Sequence, residues 1–218
     1  MQELNNRIEQ YIKDPDEPTN SFQLGYQYEL MGHPASAMGY YLKCAELTDD
    51  NKLAYECLLR KAMCYQSLKD RNAHVRNCCL LAIGLAPERP EAYHLLSISY
   101  ERAGLWQESY AWAVAGQRLN GISKKDALGT FVNFEGYFVL PFQEAVSLWW
   151  LGRFKDSLKK FKEVSEMELT PAYVGHVKWN IDNLEGNDAD ELSGLTKTST
   201  QDKEEIIKRI LAKKSDKK

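Results

Sequence analysis

The stretch from Arg89 to Gly116 constrains the fold more than any other part of this 218-residue chain. Its first half carries large and small residues at i, i+3, i+4 and i+7, which share one face of a helix: Tyr93, Leu96, Ser97 and Tyr100. Gly104 ends this helix, since glycine readily adopts the left-handed conformation of helix C-termini. Small residues then recur along Trp106–Gln117, which predicts a second helix that approaches the first closely. Such a helical hairpin cannot bury both of its faces alone.

The same pattern of large, small and aromatic positions recurs in three further stretches: Phe22–Ala45, Leu58–Pro87 and Pro141–Val164. The turn positions of the four copies are separated by 37, 35 and 48 residues: Gly32, Lys69, Gly104 and Gly152. A period of about 34 residues with helices of this composition is typical of tetratricopeptide repeats. The chain resembles that family over about Asn20–Leu184. The resemblance implies an all-α fold, a right-handed α-solenoid of TPR-like helical hairpins with capping helices.

The pattern also predicts the domain organisation. In chain order we expect an N-terminal capping helix and turn over residues 1–18, a solenoid over 19–185 with copies at about 20–48, 55–87, 90–119 and 138–168, a closing helix over 171–184, a flexible linker over 186–202 and a basic amphipathic tail helix over 203–218. Thr19, Asn20 or Ser21 is expected to cap the second helix. The tail has a net charge of +4, which is typical of a solvated helix, and the alternative is a helix that docks on an acidic partner or on the protein's own acidic surface.

An insertion, Asn120–Tyr137, separates the third and fourth copies and explains their longer spacing. Its second half is apolar and aromatic, so we expect it to lie against the solenoid. Two alternatives follow for this insertion. Either it reaches the binding face, as inserted loops in repeat proteins often do, or it covers the end of a helix.

Composition excludes several classes of function. A net charge of −3 and an isoelectric point near 5.9 argue against nucleic-acid binding, which needs a basic field. No apolar run reaches the length of a membrane span, and the first residues lack the layout of a signal peptide. Five cysteines without a CxxC spacing favour free thiols in a reducing interior. We therefore expect a cytoplasmic protein, with a virion component as the alternative.

No catalytic motif is visible in the sequence. The pairs Asp14/Asp16 and Asp188/Asp190 match a DxD string that can hold a metal, but both lie outside any predicted nucleotide-binding sheet. The four histidines show no metal-binding spacing, and no glycine-rich phosphate loop or GxSxG elbow occurs. We expect no enzyme activity, no cofactor and no metal site.

The family resemblance places the candidate site on a concave groove lined by the first helix of each repeat. The family's groove positions carry over to twelve residues: Phe22, Tyr26, Glu29, Leu59, Arg60, Met63, His94, Ile98, Glu101, Phe142, Val146 and Trp149. The alternative for each of them is packing between helices. Only Arg60 suits the basic clamp with which some relatives hold a carboxylate. The many aromatic residues instead favour an apolar or extended protein segment as partner.

A narrower resemblance covers about residues 20–165. The order RPEAYHLLSISYERAGLWQESYAWAVAG, then FVNFEGYFVLPFQEAVSLWWLGRFKDSL, is similar to the helical region associated with family-two glycosyltransferases of bacteria and phages. Three hypotheses follow. The chain is a non-catalytic protein-interaction module, an accessory domain or partner of a glycosyltransferase, or a structural protein of a virion.

Overall fold

A computed structural model describes residues 2–69, 71–118 and 127–186. These residues form ten α-helices and no β-strand. In chain order the helices are α1 Gln2–Lys13, α2 Pro18–Leu30, α3 Pro34–Leu47, α4 Asn51–Ser67, α5 Asn72–Leu85, α6 Glu91–Arg102, α7 Trp106–Gln117, α8 Val139–Trp150, α9 Phe154–Ser165 and α10 Pro171–Gly186. The all-α fold predicted from the sequence, an α-solenoid of helical hairpins, is confirmed. The predicted tail helix, and the predicted linker beyond Gly186, lie outside the described residues.

The turns of the hairpins follow the glycine pattern of the sequence. Gly32, Gly104 and Gly152 all have positive φ, at 76°, 70° and 76°, between the first and second helix of a pair. In this conformation a Cβ is strained, whereas glycine has none. Lys69 takes the equivalent sequence position in the second hairpin, but α4 ends differently there, in an extended residue, Leu68, with ψ of 111°. A left-handed turn residue is therefore not needed at Lys69.

The start of α2 differs from the sequence prediction. Glu17, not Thr19, Asn20 or Ser21, caps the helix, and its carboxylate accepts a hydrogen bond from the Thr19 N–H at 3.2 Å. Pro18 occupies the first helical position, where its fixed φ suits the helix and its missing N–H costs no hydrogen bond.

The chain divides into two compact units, Met1–Glu144 and Ala145–Lys218, with the boundary inside α8. The first unit holds two apolar cores. One is built around Tyr55 and Leu96 from α4 and α6, and the other around Tyr41 and Cys57 from α3 and α4. In the second unit Phe161 and Val164 of α9 and Val177 of α10 are buried.

Small residues bring paired helices together. In the first unit the Ser97 hydroxyl of α6 donates to the Ser109 carbonyl of α7 at 2.7 Å. In the second unit the Ser157 hydroxyl of α9 donates to the Ala145 carbonyl at 2.8 Å. Each serine satisfies its own buried hydroxyl by reaching the backbone of the neighbouring helix, so the helices pack closely without an unpaired polar group.

All five cysteines are free and buried within the first unit: Cys44, Cys57, Cys64, Cys78 and Cys79. Burial raises the pKa of Cys64 to about 12 and also raises that of Cys79. A thiol must be both accessible and ionised to react. We expect a thiol reagent to label the folded protein only at the rate at which it unfolds, and to titrate all five thiols in denaturant. Rapid labelling of one thiol in the folded protein would contradict this placement of the cysteines.

Among the described residues, none of the helices has the length and apolarity that crossing a bilayer requires. Within the same residues, no group of three or more histidine, cysteine or acidic side chains converges in a way that could hold a metal ion.

Candidate functional site

The structure brings three of the predicted groove residues together around one guanidinium. Arg60 of α4 is buried, and its Nη1 donates to Glu29 Oε1 of α2 at 3.0 Å. Its guanidinium carbon lies 4.7 Å from the centre of the Tyr26 ring. A planar guanidinium can pair with a carboxylate and stack on an aromatic face at once, which an ammonium group cannot do as well. We call the surface formed by the first helices α2, α4 and α6 the first-helix face.

Glu29 is fixed from a second side. Its Oε2 accepts a hydrogen bond of 2.6 Å from the hydroxyl of Tyr41, which α3 buries completely. Burial is the main cause that raises the pKa of Tyr41, and this hydrogen bond to a carboxylate is the second. The phenol therefore stays protonated and remains a donor. Phe22 extends the aromatic part of the site, since its ring stacks on that of Tyr26 at 6.4 Å and 14°.

A non-helical stretch of the same chain lies on the first-helix face. We call residues 127–137, the described part of the insertion, the inserted segment. The two other nitrogens of the Arg60 guanidinium bind it: Nε donates to Thr130 Oγ1 at 2.8 Å, and Nη2 donates to the Phe131 carbonyl at 2.9 Å. Of the two alternatives left open by the sequence, the insertion therefore reaches the face that was predicted to bind a partner.

Glu56, one turn before Arg60 on α4, holds the other edge of the inserted segment. Its Oε2 accepts the Gly129 N–H at 2.8 Å, and its Oε1 accepts the Thr130 hydroxyl. The Thr130 hydroxyl thus donates to a carboxylate and accepts from a guanidinium. A Cβ on Gly129 would lie 3.3 Å from Glu56 Oε2, closer than an ordinary contact. The backbone approaches the carboxylate closely because this residue is glycine.

Side chains of the inserted segment then alternate between the face and the solvent. Val132 is buried in the core around Tyr55, whereas Phe131 is 60% exposed and Asn133 is exposed as well. Phe134 returns to the face, where its ring and that of His94 pack edge to face with their centres 5.9 Å apart. Asn133 has a φ of 58°, the left-handed conformation that asparagine tolerates better than most residues.

His94 of α6 is fully buried, and its Nδ1 has no hydrogen-bond partner among the described residues. Burial lowers the pKa of His94 to about 4. The imidazole is therefore neutral near pH 7, and its ring packs edge to face against that of Phe134.

Acid should destabilise the protein through His94. The folded pKa is below the ordinary value of 6.5, so the unfolded chain binds more protons between pH 4 and 6.5. The stability that neutral His94 contributes to the folded protein is complete above about pH 6.5 and decreases as the pH falls towards 4. We expect His94 to account for about 2 kcal/mol of the loss in unfolding free energy between pH 7.5 and pH 5. Urea unfolding at both pH values measures this loss, which His94→Leu should reduce by that amount. Equal losses in the two proteins would contradict the assignment.

The end of the face near α8 is polar. The Gln143 side-chain amide of α8 donates to Glu101 of α6, and burial raises the pKa of Glu101. Ile98 of α6 and Phe142 of α8, on the same two helices, are half-buried. Gln143 was not among the predicted groove residues, although it follows Phe142 directly.

The remaining predicted groove residues lie outside the cluster around Arg60. Leu59 is fully buried in the core around Tyr55, and Met63 packs against that core. Leu59 therefore packs between helices, which was the alternative to a groove position for each of these residues. Val146 and Trp149 belong to the second unit, where the Trp149 ring meets that of Trp150 edge-on at 4.8 Å.

Sequence reasoning missed Glu56, Gly129 and Thr130. Glu56 lies four residues before Arg60, so helical spacing places both on one side of α4, and this signal was present in the sequence. The contacts of Gly129 and Thr130 join residues 70 to 74 positions apart. Periodicity cannot indicate such a pairing.

Comparisons with known proteins agree with the fold. No protein-family model matches the chain, and no curated protein sequence matches it. Among solved structures, MamA is similar with a TM-score of 0.61 and 16% identity, over 75% of this chain and 85% of MamA. YrrB, described as a TPR protein with an unusual peptide-binding site, has a TM-score of 0.59 and 14% identity, over 87% of this chain and 90% of YrrB. A putative kinesin light chain of Podospora anserina with TPR-like repeats has a TM-score of 0.55 and 12% identity, over 94% and 98% of the two chains. These likenesses show that the chain has the tetratricopeptide-repeat fold.

Proposed function

We propose that the chain is a non-catalytic protein-interaction module that binds a segment of a partner protein on the first-helix face. One observation carries the proposal. A non-helical stretch of the chain already lies there, with the Gly129 N–H bound by Glu56 and the Phe131 carbonyl bound by Arg60. Recognition of both backbone donor and acceptor is how protein surfaces bind peptides in non-helical conformations. The peptide-binding site attributed to YrrB is consistent with this reading.

The proposed partner is a protein rather than a nucleic acid or a membrane surface. The chain carries a net charge of −3, and at the centre of the first-helix face the buried Arg60 is paired with Glu29. Phosphate recognition needs cations that are free to bind anions. We place the protein in a reducing compartment, because its five cysteines are free thiols.

Two narrower partners remain hypotheses from the sequence resemblance, a glycosyltransferase and a virion protein. The solved structures compared above do not bear on either of them. Identification of the captured partner decides between them.

The test is affinity capture from the native source with two matched variants, each placing a charge on a different helix face. Ile98→Glu alters the first-helix face at a half-buried residue of α6. Leu81→Glu alters α5, the second helix of its hairpin, at a side chain that is 61% exposed. We expect Ile98→Glu to reduce recovery of the partner at least about tenfold, a loss of roughly 1.4 kcal/mol in binding. Leu81→Glu should recover as much partner as the wild type.

Circular dichroism must show the same helicity for both variants before the comparison is made. Equal recovery by the wild type and Ile98→Glu would rule out the first-helix face as the binding surface. Loss of the partner from Leu81→Glu alone would move the site to the second helices of the hairpins.

A further inference from the structure

The way in which the inserted segment is held shows what a ligand of the first-helix face must contain. This inference rests on the proposed function and specifies its partner. Three consecutive residues make the polar contacts. Gly129 offers its N–H to Glu56, Thr130 places its hydroxyl between Glu56 and Arg60, and Phe131 offers its carbonyl to Arg60.

Two of these positions select a residue type. At the first position a Cβ would lie 3.3 Å from Glu56 Oε2 and 3.6 Å from Oε1, so the smallest residue fits best. At the second position one group donates to a carboxylate and accepts from a guanidinium, and a hydroxyl does both. Serine or threonine therefore suits this position, while valine has the shape of threonine but neither hydrogen bond.

The next positions alternate in the same way. The Phe131 side chain is largely exposed, and only its backbone carbonyl is bound, so this position accepts any residue. Val132 enters the core around Tyr55, which requires an apolar side chain of moderate size. The position after Asn133 is aromatic, because the Phe134 ring meets the neutral, buried His94 edge-on.

We infer that the partner presents a segment of the pattern glycine, serine or threonine, any residue, valine, any residue, aromatic, and that the inserted segment is a built-in competitor for the same site. A competitor in the same chain acts at an effective concentration of the order of millimolar. The wild-type protein therefore binds such a partner weakly until residues 129–134 leave the face.

A labelled synthetic peptide of residues 127–138, ALGTFVNFEGYF, tests the inference by fluorescence anisotropy against the full chain. The competitor is weakened by the double substitution Thr130→Val, Val132→Ala, which changes the inserted segment and leaves Glu56, Arg60 and His94 intact. We expect this variant to bind the peptide at least about tenfold more tightly than the wild type does. Thr130→Val alone should shift the affinity in the same direction by less, and it serves if the double variant loses helicity.

Two controls examine specificity. Leu81→Ala in the chain removes a side chain of α5 that is 61% exposed and lies outside the first-helix face, so the affinity should equal that of the wild type. A peptide carrying the Thr130→Val change should bind the double variant at least about tenfold more weakly than the unchanged peptide. This second control alters no residue of the protein and so does not depend on the folding of a further variant.

Equal affinity of the wild type and the double variant would overturn the role of the inserted segment as competitor. Equal binding of the two peptides would overturn the ligand pattern. If the wild-type protein were a dimer in solution, a second copy would supply the segment. The inference of a separate partner would then be overturned. If either peptide result fails while capture still depends on Ile98, the proposed function stands and only its ligand is wrong. If capture does not depend on Ile98, the proposed function itself fails.

Discussion

Replacing Arg60 by leucine should lower the free energy of unfolding by about 3–5 kcal/mol. The substitution leaves Glu29 without its cation and the Phe131 carbonyl without its donor, in a place where Arg60 is only 5% exposed. A buried charge that loses its partner costs far more than the pair itself contributes. Urea unfolding of the first unit, followed by circular dichroism, measures the change.

Three further variants separate the causes of this loss. Arg60→Lys keeps the charge but not the planar fork, so its stability should lie between those of the wild type and Arg60→Leu. The double variant Glu29→Leu, Arg60→Leu should be more stable than Arg60→Leu alone, because it removes the abandoned carboxylate. Asp16→Asn breaks an exposed pair with Lys43 and should have no measurable effect.

The same loss should be visible in the inserted segment. Arg60 supplies two of the hydrogen bonds that hold Thr130 and Phe131. We therefore expect chymotrypsin to cleave Arg60→Leu after Phe131 or Phe134 under conditions in which the wild type stays intact. If Arg60→Leu is as stable and as resistant as the wild type, the buried network is not what holds the segment on the first-helix face.

Gly116→Ala should destabilise the first unit by about 1–3 kcal/mol, while the same substitution at Gly84 should stabilise it by about 0.5–1 kcal/mol. A Cβ on Gly116 would lie 2.9 Å from Tyr93 Cβ and 2.9 Å from Leu140 Cδ2. Leu140 is completely buried, and Tyr93 Cβ can shift only with the backbone of α6. The clash therefore forces α6 and α7 apart.

Gly84 provides the matched control because it also lies within a helix. A Cβ there meets nothing within 4 Å, so only the gain in helix propensity remains. Thermal and urea unfolding of both variants should give changes of opposite sign. Two stabilising changes would mean that α6 and α7 do not approach as closely as Gly116 and Tyr93 indicate.

The local pattern was sufficient to predict the helical hairpins. Gly32, Gly104 and Gly152 have positive φ, which glycine adopts without strain because it lacks a Cβ. Helix α7 begins and ends at the predicted residues, Trp106 and Gln117. At the start of α2 the local reading failed, because Pro18 favours the first helical position and so moves the cap to Glu17.

The candidate site was only partly within reach of the sequence. The family resemblance implied that Tyr26 and Glu29 of α2 line the groove, and the structure places both against Arg60. Such a carry-over of positions cannot distinguish a residue that faces a groove from one that faces the core. Leu59, next to Arg60, was assigned to the groove in this way, but it is a core residue in the structure.

By itself the sequence determined that this protein is built from helical hairpins, because turn glycines and apolar spacing act within a few residues of one another. Only the tertiary structure decided that the inserted segment lies on the first-helix face. The hydrogen bonds of Glu56 and Arg60 to Gly129, Thr130 and Phe131 join residues that are 70 to 74 positions apart in the chain. Such contacts form only when packing brings distant residues together, and no local pattern of residues encodes them.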